Sequence, residues 1–99
     1  MKEFIISYCI NVLGYTLNQA EEEADKLIKH PDILKEFINW LATGKYESNN
    51  PVTIEGYTAQ RLHEEFDFLK PIGVYNYLIS LREKPEEALK WIKKGLPRK

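Results

Sequence analysis

Cysteine is nearly missing from this chain. Cys9 stands alone among 99 residues, so no disulfide can close within it. A lone cysteine in an apolar helical stretch reads as a small buried hydrophobe rather than a nucleophile. Long apolar runs are missing too. The N-terminal stretch is interrupted by Ser7, Asn11 and Gly14, and Lys2 is offset by Glu3. That stretch is too short to span a bilayer and makes a poor signal peptide, so the chain is expected in the cytoplasm. A surplus of one charge is also lacking: the net charge is −1, which argues against a strongly cationic nucleic-acid coat protein.

Chemistry-bearing constellations are equally scarce. The two histidines, His30 and His63, have no second His or Cys at metal-ligand spacing, so no zinc site is expected. Five scattered glycines make no phosphate-cradling loop, and each has a turn or cap to explain it. Ser7, Ser48 and Ser80 lie outside any nucleophile-elbow context. The chain is therefore expected not to be an enzyme, with no catalytic or metal-binding residues, no cofactor and no small-molecule ligand.

What remains is an ordinary globular composition, 43% hydrophobic and 29% charged, sized for one domain. Lys2 to Leu13 reads as a first helix, apolar on most of its surface. Such a helix wants burial on several sides, as a central element or as part of a dimer interface. Gly14 suits its stop, since glycine takes the left-handed conformation freely. Thr16 and Gln19 have the spacing of a capping box, with Tyr15 and Ala20 placed for a hydrophobic staple. They open a second helix whose apolar face is Leu17, Ala20, Ala24, Leu27 and Ile28. Glu22 stands four before Lys26 and Asp25 four before Lys29, weak helix-stabilising pairs. Glu21-Glu22-Glu23 is expected in the solvated first turn, where the helix dipole favours negative charge.

Pro31 opens a third helix with a broad apolar stripe from Ile33 to Leu41, ending at Gly44. Residues 45–54 are a loop, with Val52-Thr53-Ile54 briefly extended. Thr58 caps a fourth helix that turns Ala59, Leu62 and Phe66 inward. A turn follows over Asp67-Phe68-Leu69-Lys70. Pro71 then starts a fifth helix that buries Ile72, Val74, Tyr75, Leu78, Ile79 and Leu81. A sixth runs from Pro85 to Gly95, acidic at its start and basic at its end, with Leu96 folding back on Trp91. Pro97-Arg98-Lys99 is expected to fray. The fold class is all-α: a compact orthogonal bundle of five to six short helices containing a helix-turn-helix-like pair. It forms a single domain, with a three-helix part (1–44), a loop (45–54), a helix-turn-helix-like part (55–96) and a tail (97–99).

Residues 58–81 carry the one functional pattern. Ala59, Leu62 and Phe66 followed by Val74-Tyr75-Asn76-Tyr77-Leu78 resemble the general helix-turn-helix superfamily over about a quarter of the chain. The turn departs from that pattern, lacking the usual glycine and running one residue long. The resemblance implies that the second helix enters the major groove of duplex DNA. By position, the contacting residues would be Arg61, Lys70, Gly73, Asn76, Tyr77, Ser80 and Lys84. Asparagine can read adenine, while lysine and tyrosine can hold phosphate. A second resemblance rests on Glu55-Gly56-Tyr57-Thr58-Ala59, Tyr75-Asn76-Tyr77-Leu78 and Leu81-Arg82-Glu83-Lys84-Pro85-Glu86. Those runs are similar to small uncharacterised all-helical proteins of anaerobic Gram-positive bacteria, which implies a bacterial cytosolic protein.

Two functional readings follow. The first is a DNA-binding regulator using residues 58–84. The second is a protein-interaction or self-associating module, a possible homodimer, motivated by the apolar first helix and six tyrosines, with Phe4, Ile5 and Tyr8 at the interface. Charge is divided unevenly between the halves. Residues 1–50 hold five lysines against eight carboxylates, and residues 51–99 nine cationic side chains against seven.

Overall fold

The computed structural model describes residues 1–68 and 70–98. Leu69, assigned by sequence to the turn, and Lys99, the last residue of the expected tail, lie outside the described residues. The rest is all-α, with six helices and, among the described residues, no strand: α1 (Lys2–Asn11), α2 (Leu17–Ile28), α3 (Pro31–Thr43), α4 (Ala59–Glu65), α5 (Pro71–Glu83) and α6 (Pro85–Lys94). Internal packing groups the chain into two units, Met1–Leu34 and Lys35–Lys99, a division that falls inside α3.

In the first unit α1 and α2 pack on each other. Ile5 and Cys9 are buried from α1, and Ala20, Ala24 and Leu27 from α2. The alanines sit one turn apart, and their small side chains let the facing helix come close. Gly14, at φ +73°, reverses the chain between the helices, and the Tyr15 amide donates back to the Cys9 carbonyl at 3.0 Å. The expected capping box is present. The Gln19 amide donates to Thr16 Oγ1 at 3.2 Å, and the Thr16 amide donates to Gln19 Oε1 at 3.0 Å. Two backbone donors that a helix start leaves orphaned are thereby satisfied.

One expectation about this hairpin needs correction. Because α2 starts at Leu17, Glu21-Glu22-Glu23 falls after the first turn, where the dipole has faded. Of the carboxylates on this helix, Glu23 and Asp25 are held by ion pairs. Lys26 Nζ lies 3.6 Å from Glu23, and Lys2 Nζ lies 2.9 Å from Asp25, tying the start of α1 to α2.

The second unit is organised around α5, which packs against both α4 and α6. All six of its expected core residues are buried. Tyr75 is the largest of these buried side chains. Its ring meets Phe37 edge-on at 5.5 Å, and its hydroxyl donates to the Glu36 carbonyl at 3.4 Å. Burial pushes the Tyr75 ionisation up strongly, and the neighbouring Tyr46 and buried Glu36 add to it. Thr58 caps α4 as expected, accepting from the Arg61 amide at 3.1 Å. Before it, Ile54 and Tyr57 exchange two backbone hydrogen bonds of 2.9 Å around Glu55 and Gly56, both at positive φ. Residues 52–54 therefore lead into a tight hairpin turn and not a strand.

Pro97 and Arg98, expected to fray, are instead docked onto Phe66 and Asp67. The Asp67 amide donates to the Pro97 carbonyl at 2.9 Å, Arg98 bridges Phe66, and its guanidinium lies 5.2 Å from the Phe66 ring centre. The close of α6 also differs in detail. Gly95 is extended at φ −161°, and the amides of Gly95 and Leu96 both donate to the Trp91 carbonyl, while the Trp91 side chain stays 58% exposed.

Candidate functional site

Placement on α4 and α5 decides what the residues proposed for DNA contact could do. Arg61 is exposed, but its guanidinium is committed inside the protein. It pairs with Glu65, donates to the Gly56 carbonyl at 2.9 Å and lies 4.3 Å over the Tyr57 ring. The Glu65 partner raises its already high pKa, followed by the charge of Tyr57. Tyr77 is half-buried, and its hydroxyl donates to the Ala88 carbonyl of α6. Burial, and then the charge of Tyr57, push that phenol up to about 12. Gly73 faces Phe68, with only 3.6 Å between a built Cβ position and that ring. Asn76 is half-buried with its Oδ1 enclosed. Lys70, Ser80 and Lys84 are exposed, and they sit near Asp67 and Glu83 in sequence. The structure thus turns Gly73, Asn76 and Tyr77 partly inward, leaves Arg61 at the surface but engaged with its own chain, and leaves Lys70, Ser80 and Lys84 exposed.

The residues proposed for an interface also divide. Ile5 is fully buried, Tyr8 is half-buried, and Phe4 is 53% exposed. Burial raises the Tyr8 phenol, and the neighbouring Cys9 adds to the shift. Cys9 is fully buried, and burial followed by the charge of Glu23 pushes its thiol up to about 11, so it is an inert neutral packing group. Besides Phe4, the first unit exposes further large apolar side chains: Val12 at 65%, Leu17 at 56% and Ile28 at 40%. On α2 the exposed residues Leu17, Glu21, Asp25 and Ile28 follow one another at helical spacing, two carboxylates between two apolar side chains.

A third arrangement lies wholly in the second unit, and its members are scattered through the sequence. Tyr46, in the loop after α3, stacks on His63 of α4 with ring centres 4.4 Å apart. Trp40 of α3 sits 5.9 Å from the same tyrosine. Together with Phe68 and the carboxylates Glu47 and Glu64 they line an open cleft of about 450 Å³. Gly44, at φ +73°, lets the chain double back so that Tyr46 reaches α4, a conformation any side chain would strain. Thr43 holds the turn, donating from Oγ1 to the Asn39 carbonyl at 2.9 Å and accepting from the Lys45 amide at 3.1 Å. The sequence marks Gly44 as a helix stop and gives His63 no partner at metal-ligand spacing. Only folding shows that the first serves to bring an aromatic ring onto the second.

Among the described residues, no group of three His, Cys, Asp or Glu side chains is placed to hold a metal ion, and no helix is long and apolar enough to cross a membrane. Compared with family models, curated proteins and solved structures, the chain matches none.

Proposed function

We propose that this protein is an interaction module without an enzymatic step of its own, and that it binds a partner protein through the exposed apolar surface of Met1–Leu34. One observation carries the reading: Phe4, Val12 and Leu17 each keep more than half of their surface in water. Single exposed hydrophobes are normal on any protein, but several large ones on a 34-residue helical hairpin are a surface awaiting cover. The same unit carries three lysines against six carboxylates, and Glu21 and Asp25, the latter also paired with Lys2, stand between the exposed Leu17 and Ile28. That combination fits an amphipathic helix with an apolar stripe and a basic edge. A second copy of this chain would set like charge against like charge, which costs association energy.

The test uses two helical peptides of equal length and apolar content, one with lysine edges and one with glutamate edges. Titrated into the full chain, the lysine peptide is expected to bind saturably. The triple variant Phe4→Ser, Leu17→Ser, Ile28→Ser is expected to lose that binding. Equal binding of both peptides, or of neither, overturns the reading. A concentration-dependent dimer abolished by the same triple variant would make a second copy the occupant instead.

The DNA reading draws less support from the same geometry. Arg61 and Tyr77 are engaged within the protein, and phosphate contacts supply most of the affinity of such domains. It rests on the exposed Lys70 and Lys84. Its test is a low-salt titration with duplex DNA, in which binding would have to weaken in the Lys70→Ala, Asn76→Ala double variant.

A further inference from the structure

We infer that the cleft between the end of α3, the loop after it and α4 is a binding site for a quaternary or alkylated ammonium ion, independently of any partner taken up by Met1–Leu34. Its walls are aromatic. Trp40, His63 and Phe68 line it together with Tyr46, whose own ring is stacked on both His63 at 4.4 Å and Tyr75 at 6.0 Å, so that Trp40, His63 and Phe68 are the rings that carry the attraction. Ring faces attract cations through the electron density above and below the ring plane, and tryptophan does so best. A volume of about 450 Å³ suits a small organic ion.

Charge points the same way. Glu47 and Glu64 line the cleft against a single lysine, Lys45, so its described lining is net negative with His63 neutral. Glu64 is already oriented: Gln60 Nε2 donates to its Oε1 at 3.0 Å. At the inner end Pro71, the first residue of α5, has no amide proton, which removes one of the donors a helix start would otherwise offer to an anion. A quaternary ammonium has no donors of its own. It asks only for ring faces and a diffuse negative field, and it sheds its water more readily than a primary ammonium does.

The loop wall is built before any ligand arrives. Gly44 donates to the Trp40 carbonyl at 2.7 Å, Thr43 bridges Asn39 and Lys45, and Asn39 Nδ2 reaches the Glu47 carbonyl at 3.5 Å. A wall fixed in this way spends less of the binding energy on ordering the loop.

The experiment follows Trp40 fluorescence in a Trp91→Phe background, which removes the other, exposed tryptophan. Choline and tetramethylammonium are titrated, together with the neutral isostere of choline in which carbon replaces nitrogen. Both cations are expected to give a saturable change, with the isostere binding about tenfold more weakly or worse. The Glu47→Gln, Glu64→Gln double variant changes only exposed side chains and is expected to keep its helical circular dichroism. It should weaken choline about threefold or more while leaving the isostere unchanged. Equal affinity for choline and its isostere would reduce the cleft to an apolar dent and overturn the inference. The absence of any saturable change up to about 10 mM of either cation would overturn it as well.

Discussion

α1 and α5 are both apolar on most sides in sequence, and the fold treats them in opposite ways. α5 buries six of its thirteen residues, with α4 and α6 packed against it. α1 buries two of its ten and leaves Phe4 and Ile10 exposed. All-round apolarity states a demand for cover, and the number of helices that answer it is a property of the whole chain. Where the demand is met, a core results. Where it is unmet, the remaining surface is the best clue to function.

The sharpest way to break this comparison is to truncate one side chain from each helix. Leu78→Ala, in the buried α5, is expected to cost about 2–5 kcal/mol, because it removes a packed side chain and leaves a void. Phe4→Ala, on the exposed face of α1, is expected to stay within about 0.5 kcal/mol. Denaturant midpoints at unchanged m-value measure both. Equal costs would mean that the α1 face is covered, and the interaction reading would lose its footing.

Alkaline pH separates the same two regions by the groups each one buries. In the first unit the thiol of Cys9 is raised from 9.0 to about 11, and in the second the phenol of Tyr77 from 10.0 to about 12. Each group is held neutral by the fold, so the unfolded chain loses its proton first. Stability is therefore fully present below the unfolded values and falls as pH rises toward the folded ones. The decline is expected to start near pH 9 through Cys9 and to steepen above pH 10, when Tyr8 and Tyr15 of the first unit join together with Tyr77 and the more strongly raised Tyr75 of the second. The Cys9 part is on the order of 1–3 kcal/mol. Denaturation midpoints between pH 8 and pH 11 of the wild type and of Cys9→Ala check it, and the variant should lose the first decline. A thiol reagent at neutral pH should label Cys9 only after unfolding, since the side chain is fully buried.

How much of this was legible beforehand depended on range. Helix starts at Thr16, Pro31, Thr58, Pro71 and Pro85 are written locally, in caps and in proline's missing amide, and all five match the observed helices. The core face of α5 followed from periodicity and was read correctly throughout. Legibility failed where a residue's fate depended on a distant partner. Nothing near Pro97 and Arg98 announces that they will meet Phe66 and Asp67. The cleft was invisible for the same reason, since Trp40, Tyr46 and His63 are too far apart in sequence to form any motif. Arg61 is the exception: Glu65, Gly56 and Tyr57, which engage it, all lie within five residues, a local signal that its placement among the DNA-contact residues left aside.

The two caps give the smallest expected effect and compare the units most closely, because the same residue type does a similar job in each. Thr16 and Thr58 both accept from the amide three residues on, at 3.2 and 3.1 Å. Each replaced by alanine should cost about 1 kcal/mol, and serine should restore most of it by supplying the same oxygen. The caps differ in what surrounds them. Thr16 belongs to a reciprocal box, so Gln19→Ala should by itself reproduce part of the Thr16→Ala loss, whereas Thr58 caps through the Arg61 amide with a seven-residue helix behind it. Amide exchange reads the difference at the sites themselves. Thr16→Ala is expected to deprotect Gln19 in the long α2 only modestly. Thr58→Ala should deprotect Arg61 more, because a helix of under two turns has few bonds left to hold it once its start is loosened.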